Sequence, residues 1–236
     1  MKSELDIKSL TSSSIPLTDQ IDHPNISNLI YSISKLVSNS INDDINLEVD
    51  ILPTSDLYIF TEDKYLFEQP HSINFDKLSR FHNSFTQQDI IFFLKGLYLA
   101  IDFSPECFII SLVYLNRFVA ITNSPLLPNN WRPLLLISII LANKVWDDHQ
   151  TNLDLSILYP FFTKSQFEQL ERRFLEMINY NIKVSLSCYS SYFMELKSLN
   201  PGLKSKDLMN YTKIKEIQVK QQRFFSTLRK KSRTYT

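Results

Sequence analysis

The sequence predicts an all-α protein, on three observations. Only two glycines, Gly96 and Gly202, occur in 236 residues, whereas a sheet-containing domain of this size needs many for its turns. Helix-start signals recur at short intervals between Thr86 and Gln166. The apolar runs between them have helical lengths and short connections. The same shortage of glycine excludes the phosphate-cradling loops GxxxxGK[ST] and GxGxxG, and with them the common nucleotide-binding chemistries.

Taken in order, residues 3–22 are rich in Ser and Thr and are expected to be mobile, and "HPNISNLIYSISKLVSNSIN" has a helical period. Residues 43–83 read as short β-leaning pieces such as "DLYIF" joined by loops. "TQQD" (Thr86 to Asp89) resembles a capping box and opens a helix to about Ile101. "SPE" (Ser104 to Glu106) offers an N-cap serine, a proline at the first helical position and a first-turn acid, so a second helix should run to about Ile121. Asn129 or Asn130 should cap a third helix ending near Trp146, a short fourth starts near Asp154, and "TKSQ" (Thr163 to Gln166) boxes a fifth to about Tyr180. "NPGL" (Asn200 to Leu203) is a turn, and a last helix is expected from about Asp207. The resulting organisation is an N-terminal extension over 1–83, partly disordered and with a helix near 24–41; a five-helix block over 84–183; and C-terminal helices with a basic tail over 184–236.

An apolar fraction of 44% is enough for one well-buried core. The formal net charge is zero, so the molecule as a whole has no field that would recruit nucleic acid or an anionic membrane. Cys107 and Cys188 lie in apolar helical patterns without metal-ligand spacing and read as reduced core residues. The longest apolar run, Leu134 to Ala142, is too short to span a bilayer, and the first residues resemble neither a signal peptide nor an acylation site. We therefore expect a soluble, cytoplasmic protein, with any nuclear or membrane association made through partners.

The fifth helix contains an anomaly. At about 100° per residue, Leu170, Phe174, Leu175 and Ile178 share one arc with Phe167, and Glu171 falls inside it. A carboxylate in such surroundings needs a partner. The third helix is apolar almost all round, as the buried centre of a bundle should be, with Arg132 near its start and Lys144 near its end as its only charges. Lys144 is thus the candidate partner, although a local pairing of Glu171 with Arg172 or Lys164, and a Lys144 that merely caps its helix, are the plain alternatives. Asp147, Asp148 and His149 follow at the end of that helix. A metal hydrolase built on them would need further ligands, and no nucleophile–base arrangement accompanies them. No catalytic residue, cofactor or metal is expected.

The segments "CFIISLVYLNRF", "PNNWRPLLLISIILANKVWDDHQTNLD" and "LERRFLEMINYNIKVSLSCYSSYFMELKSL" closely resemble the cyclin Y family across roughly residues 86–199, with "ANKVWDD" the most specific motif. The resemblance implies that the five-helix block is a cyclin box. It also implies that the protein is a non-catalytic regulatory subunit of a cyclin-dependent kinase, in this family of the PFTAIRE or PCTAIRE type. On that basis Lys144 and Glu171 form a pair facing the kinase beside its αC helix, and Trp146, Asp147 and Asp148 belong to the same interface edge. The substrate-docking run Met-Arg-Ala-Ile-Leu of cell-cycle cyclins is absent, since the first box helix reads "IIFFLKGLYLA". The acylation signal that begins animal cyclin Y proteins is absent too.

From Lys213 to Arg233 there are eight Lys or Arg against one acid. Ser232 in "RKKSR" suits a basophilic kinase, and a phosphoserine there would dock an arginine cluster. By resemblance, Ser232 and Ser13 in "TSSSIPL" occupy the places where relatives bind 14-3-3 proteins. The competing reading from another class is a cyclin-fold scaffold in transcription that touches nucleic acid through its tail, or an adaptor without kinase activation. Phe224 and Phe225 look like packing residues rather than base-stacking ones, so nucleic-acid binding is not expected.

Overall fold

The computed structural model describes residues 24–46, 56–68, 84–101, 103–146 and 162–203. Among these it is all-helical, with seven α-helices and no strand: α1 (Pro24–Asn46), α2 (Glu62–Glu68), α3 (Gln87–Ile101), α4 (Glu106–Thr122), α5 (Trp131–Trp146), α6 (Lys164–Met177) and α7 (Leu186–Leu199). The fourth helix expected near Asp154, the last helix from Asp207, the tail and residues 3–22 lie outside the described residues.

The starts and stops follow local chemistry. Thr86 Oγ accepts from the Asp89 amide, and Asp89 Oδ2 accepts from the Thr86 amide, closing the reciprocal box that opens α3. Thr163 and Gln166 do the same for α6. Ser185 caps α7 by accepting from the Cys188 amide. At α4 the expected serine cap takes another form: the helix begins after Pro105, and Ser104 Oγ lies 3.4 Å from Cys107 Sγ. Asn123, with φ 50°, ends α4 in the left-handed region that Asn tolerates. Asn130 does not cap α5 through its side chain. Its Oδ1 accepts from the Leu127 amide and its amide group donates to the Pro125 carbonyl, tying the preceding loop instead.

Helix α5 is the centre of the bundle. Every residue from Trp131 to Asn143 is buried, as are Val145 and Trp146, which leaves Lys144 as its single exposed residue. Its most extensive packing is against α4, and it also meets α6. Helix α1 lies between α3 and α7 and presents Ile26, Leu29, Ile30, Ile33, Val37 and Ile41, all nearly fully buried. Polar clasps fix its position. Asn28 bonds to Gly202 O and to the Asn200 side chain, Ser34 accepts from Gln87, and Asp44 accepts from the Leu126 amide at 2.6 Å.

The stretch "DLYIF" is not extended. Tyr58–Phe60 forms a 3-10 turn that leads through Thr61 into α2. Tertiary packing outweighs the β propensity of these residues: Phe60 inserts edge-on against Phe118 at 5.0 Å, and Phe118 stacks on Phe174 at 5.1 Å. Behind it, Glu62 and Arg132 form a buried ion pair at 3.2 Å. Arg132 also donates to Ser84 O and lies 4.4 Å over the Trp131 ring. Arg132 thus holds α2 and the start of α3 against the central helix.

Candidate functional site

Lys144 sits in the last turn of α5, where a cation complements the helix dipole. Glu171 sits in the middle of α6, between the buried Phe167, Leu170 and Phe174. The packing of α5 on α6 brings Lys144 Nζ to 2.5 Å from Glu171 Oε2. The Lys144 side chain is 56% exposed and that of Glu171 21%. The pair therefore lies on the rim of the core, with its charged ends at the edge of the bundle. The lysine stem covers apolar surface while its ammonium reaches water. Glu171 thus pairs with Lys144 rather than with Arg172 or Lys164, while Arg173 bonds Glu176 at 2.7 Å and Asp56 at 2.8 Å. The hydrogen bond to Glu176, ahead of the charge of Asp56, raises the pKa of Arg173.

Trp146 faces inward rather than toward a partner. It is buried, and its indole N–H donates to Tyr114 Oη at 2.9 Å, because the bundle encloses the end of α5 on the α4 side. Tyr114 Oη in turn donates to Ile182 O at 2.8 Å, so one hydroxyl joins α4, the end of α5 and the link between α6 and α7. Burial pushes the Tyr114 phenol far above its ordinary range, outweighing the Trp146 hydrogen bond, so it remains a protonated donor. Asp147, Asp148, His149, Ser13 and Ser232 lie outside the described residues. Among the described residues, no group of three or more His, Cys, Asp or Glu is placed to hold a metal ion, and no helix is long and apolar enough to cross a membrane.

Two elements of this region escaped the sequence analysis. One is Arg117, which donates to Asn181 O at 2.6 Å and Lys183 O at 2.9 Å and so clamps the α6–α7 link. The other is Tyr180, left-handed at φ 54° directly after left-handed Asn179, and 58% exposed. Asn after a helix signals a left-handed stop; nothing in the pattern marks a second such residue.

Residues 56–183 match the family model described as "Cyclin, N-terminal domain", and the chain belongs to that family. The match begins at Asp56, ahead of α3, and so takes in the turn that carries Phe60 and the helix that carries Glu62. Members of this family are regulatory rather than catalytic proteins, and their domain implies a protein kinase partner. No solved structure matches the chain.

Proposed function

We propose that this protein binds and activates a cyclin-dependent kinase of the PFTAIRE or PCTAIRE type, as a cyclin Y-like subunit without catalysis of its own. The observation that carries this is the Lys144–Glu171 pair, the one charged feature at the exposed edge of an otherwise buried helix. The carboxylate holds the ammonium in place and leaves it two N–H donors for a partner's carbonyl groups, which reduces the ordering cost of docking. Activation is positional: the docked domain holds the kinase αC helix inward, where the kinase's own Lys–Glu pair forms. Asp147 and Asp148 extend the same edge in sequence.

The test is copurification of the full chain with its kinase, followed by phosphorylation of a peptide substrate with and without the protein. Kinase-dependent stimulation is expected. Turnover by the protein alone, with no effect on any kinase of a panel, would refute the proposal. A 14-3-3 protein bound at phosphorylated Ser232, or less directly at Ser13, would add a regulatory layer. Ser232→Ala should then weaken phosphorylation-dependent 14-3-3 capture while the kinase complex survives, and equal capture of both forms would remove Ser232 from the account.

A further inference from the structure

Helix α6 carries Glu171, yet little of the helix is buried. Within its span only Phe167, Leu170 and Phe174 are fully enclosed, and most of its other side chains are charged or polar. The Lys144–Glu171 pair does not fix α6 on α5, because an ion pair with its ammonium in solvent contributes little to a fold. Another contact has to set the distance between these two side chains.

The segment from Asp56 to Tyr65 makes that contact. Phe60, buried, meets Phe174 edge-on with ring centroids 6.3 Å apart. Tyr65 meets Phe162 edge-on at 4.3 Å, and Phe162 meets Phe167 at 5.2 Å. Asp56 holds Arg173 at 2.8 Å. Phe167, Glu171 and Phe174 follow one another at helical spacing, so the aromatic side chains that the segment reaches flank Glu171 on its own face of α6. The segment's other grip is on the start of α5. Glu62 pairs with Arg132, the Glu62 amide donates to Asn129 O at 2.8 Å, and the Asp63 carboxylate accepts from the Asn129 side chain. One short segment therefore spans the same two helices that the Lys144–Glu171 pair joins.

We propose that residues 56–65 are a strap that sets the position of α6 on α5, with Phe60, Tyr65 and Asp56 as positioning residues for the Lys144–Glu171 pair. The edge they prepare is the kinase-docking edge of the preceding section, so the inference rests on that reading. They act through α6 and do not touch the kinase. When the strap loosens, α6 shifts and Glu171 leaves Lys144, while the extensive packing of α4 on α5 keeps the centre of the box folded.

The test uses the full chain and a purified PFTAIRE- or PCTAIRE-type kinase, with kinase affinity, melting temperature and amide hydrogen exchange measured on the same samples. Asp56→Asn removes one exposed charge, so its melting temperature should stay within about 2 °C of the native value. Phe60→Leu should melt lower and remain folded; if it unfolds, Tyr65→Leu takes its place. Both variants should speed exchange in α6 more than in α4 or α5, and kinase affinity should fall by about threefold for Asp56→Asn and about tenfold for Phe60→Leu. In a Glu171→Ala background neither change should lower affinity much further, because the group they position is gone; a strap that served only the fold would add its full loss there. Unchanged exchange in α6, or full additivity with Glu171→Ala, would overturn the inference. Native affinity in both strap variants, with binding lost in Glu171→Ala, would overturn it and leave the kinase proposal standing. No binding by the native chain would overturn both.

Discussion

Lys144 and Glu171 meet at 2.5 Å across the α5–α6 seam with the ammonium largely in solvent, whereas Arg132 and Glu62, at the other end of α5, meet with both side chains buried. One helix thus carries two ion pairs of opposite character, and they should respond to substitution in opposite ways.

Lys144→Ala and Glu171→Ala should leave stability almost unchanged, within about 1 kcal/mol, because an exposed pair is screened by water and salt. Each should nevertheless reduce kinase binding sharply, by about tenfold or more if the pair is central to the interface. The double variant should lose less than the sum of the two, because the side chains are in contact. Urea unfolding and binding titrations on the same proteins separate the two effects. Native-like binding by both single variants would remove the pair from the interface.

Glu62→Ala should destabilise the fold by about 3–5 kcal/mol, since it leaves the Arg132 charge buried without its carboxylate. Replacing both residues, as in Arg132→Met with Glu62→Leu, should recover much of that loss. A urea midpoint close to the native value for Glu62→Ala would show that the cluster contributes little.

Tyr114→Phe removes one hydroxyl and two hydrogen bonds, the one it accepts from Trp146 Nε1 and the one it donates to Ile182 O. The expected cost is about 1–3 kcal/mol. Hydrogen exchange should speed up at the end of α5 and in the α6–α7 link together. Faster exchange in only one of them would show that the hydroxyl does not couple them.

Burial raises the Asp89 pKa, but hydrogen bonds from the hydroxyls of Ser84 and Thr86 and from the Thr86 amide, with the nearby charge of Arg132, outweigh it and hold the carboxyl below its ordinary value. A folded pKa below the unfolded one gives stability that is present above the unfolded value of about 3.9 and is lost as pH falls through the folded value. Asp89→Asn should therefore be less stable than the native chain at pH 6, with the gap closing below pH of about 4. A gap that is constant across that range would show that the carboxylate's charge is not involved.

The sequence made the box helices legible wherever a capping signal adjoined a long apolar period, as at Thr86–Asp89 and Thr163–Gln166. It also brought Lys144 and Glu171 together, because a carboxylate in an apolar arc and a lone late cation constrain each other. Periodicity gives the direction of a side chain and not its distance from the surface, so the degree of exposure of each came only with the packing. Trp146 turned inward for a related reason: its Tyr114 acceptor comes from another helix and leaves no trace in local spacing. Tertiary packing decided residues 56–68 as well. Thr61-Glu62-Asp63 is a helix-start signal, but the β-leaning "DLYIF" before it masked the start, and the partners Phe118, Phe174 and Arg132 are all distant in sequence.

The clasp between α1 and the turn after α7 joins residues 174 positions apart, from Asn28 to Gly202. On a ribosome adding roughly 5–20 residues per second, α1 emerges about ten to thirty seconds before the segment that holds its first turn. Through that interval α1 can have α3 beside it but not α7, so the first helix made is among the last to be fully secured. Stalled nascent chains ending before Leu186 should accordingly be cut by protease within α1, and chains that expose Gly202 should resist. The interval is a feature of synthesis, and it would persist however stable the finished domain became.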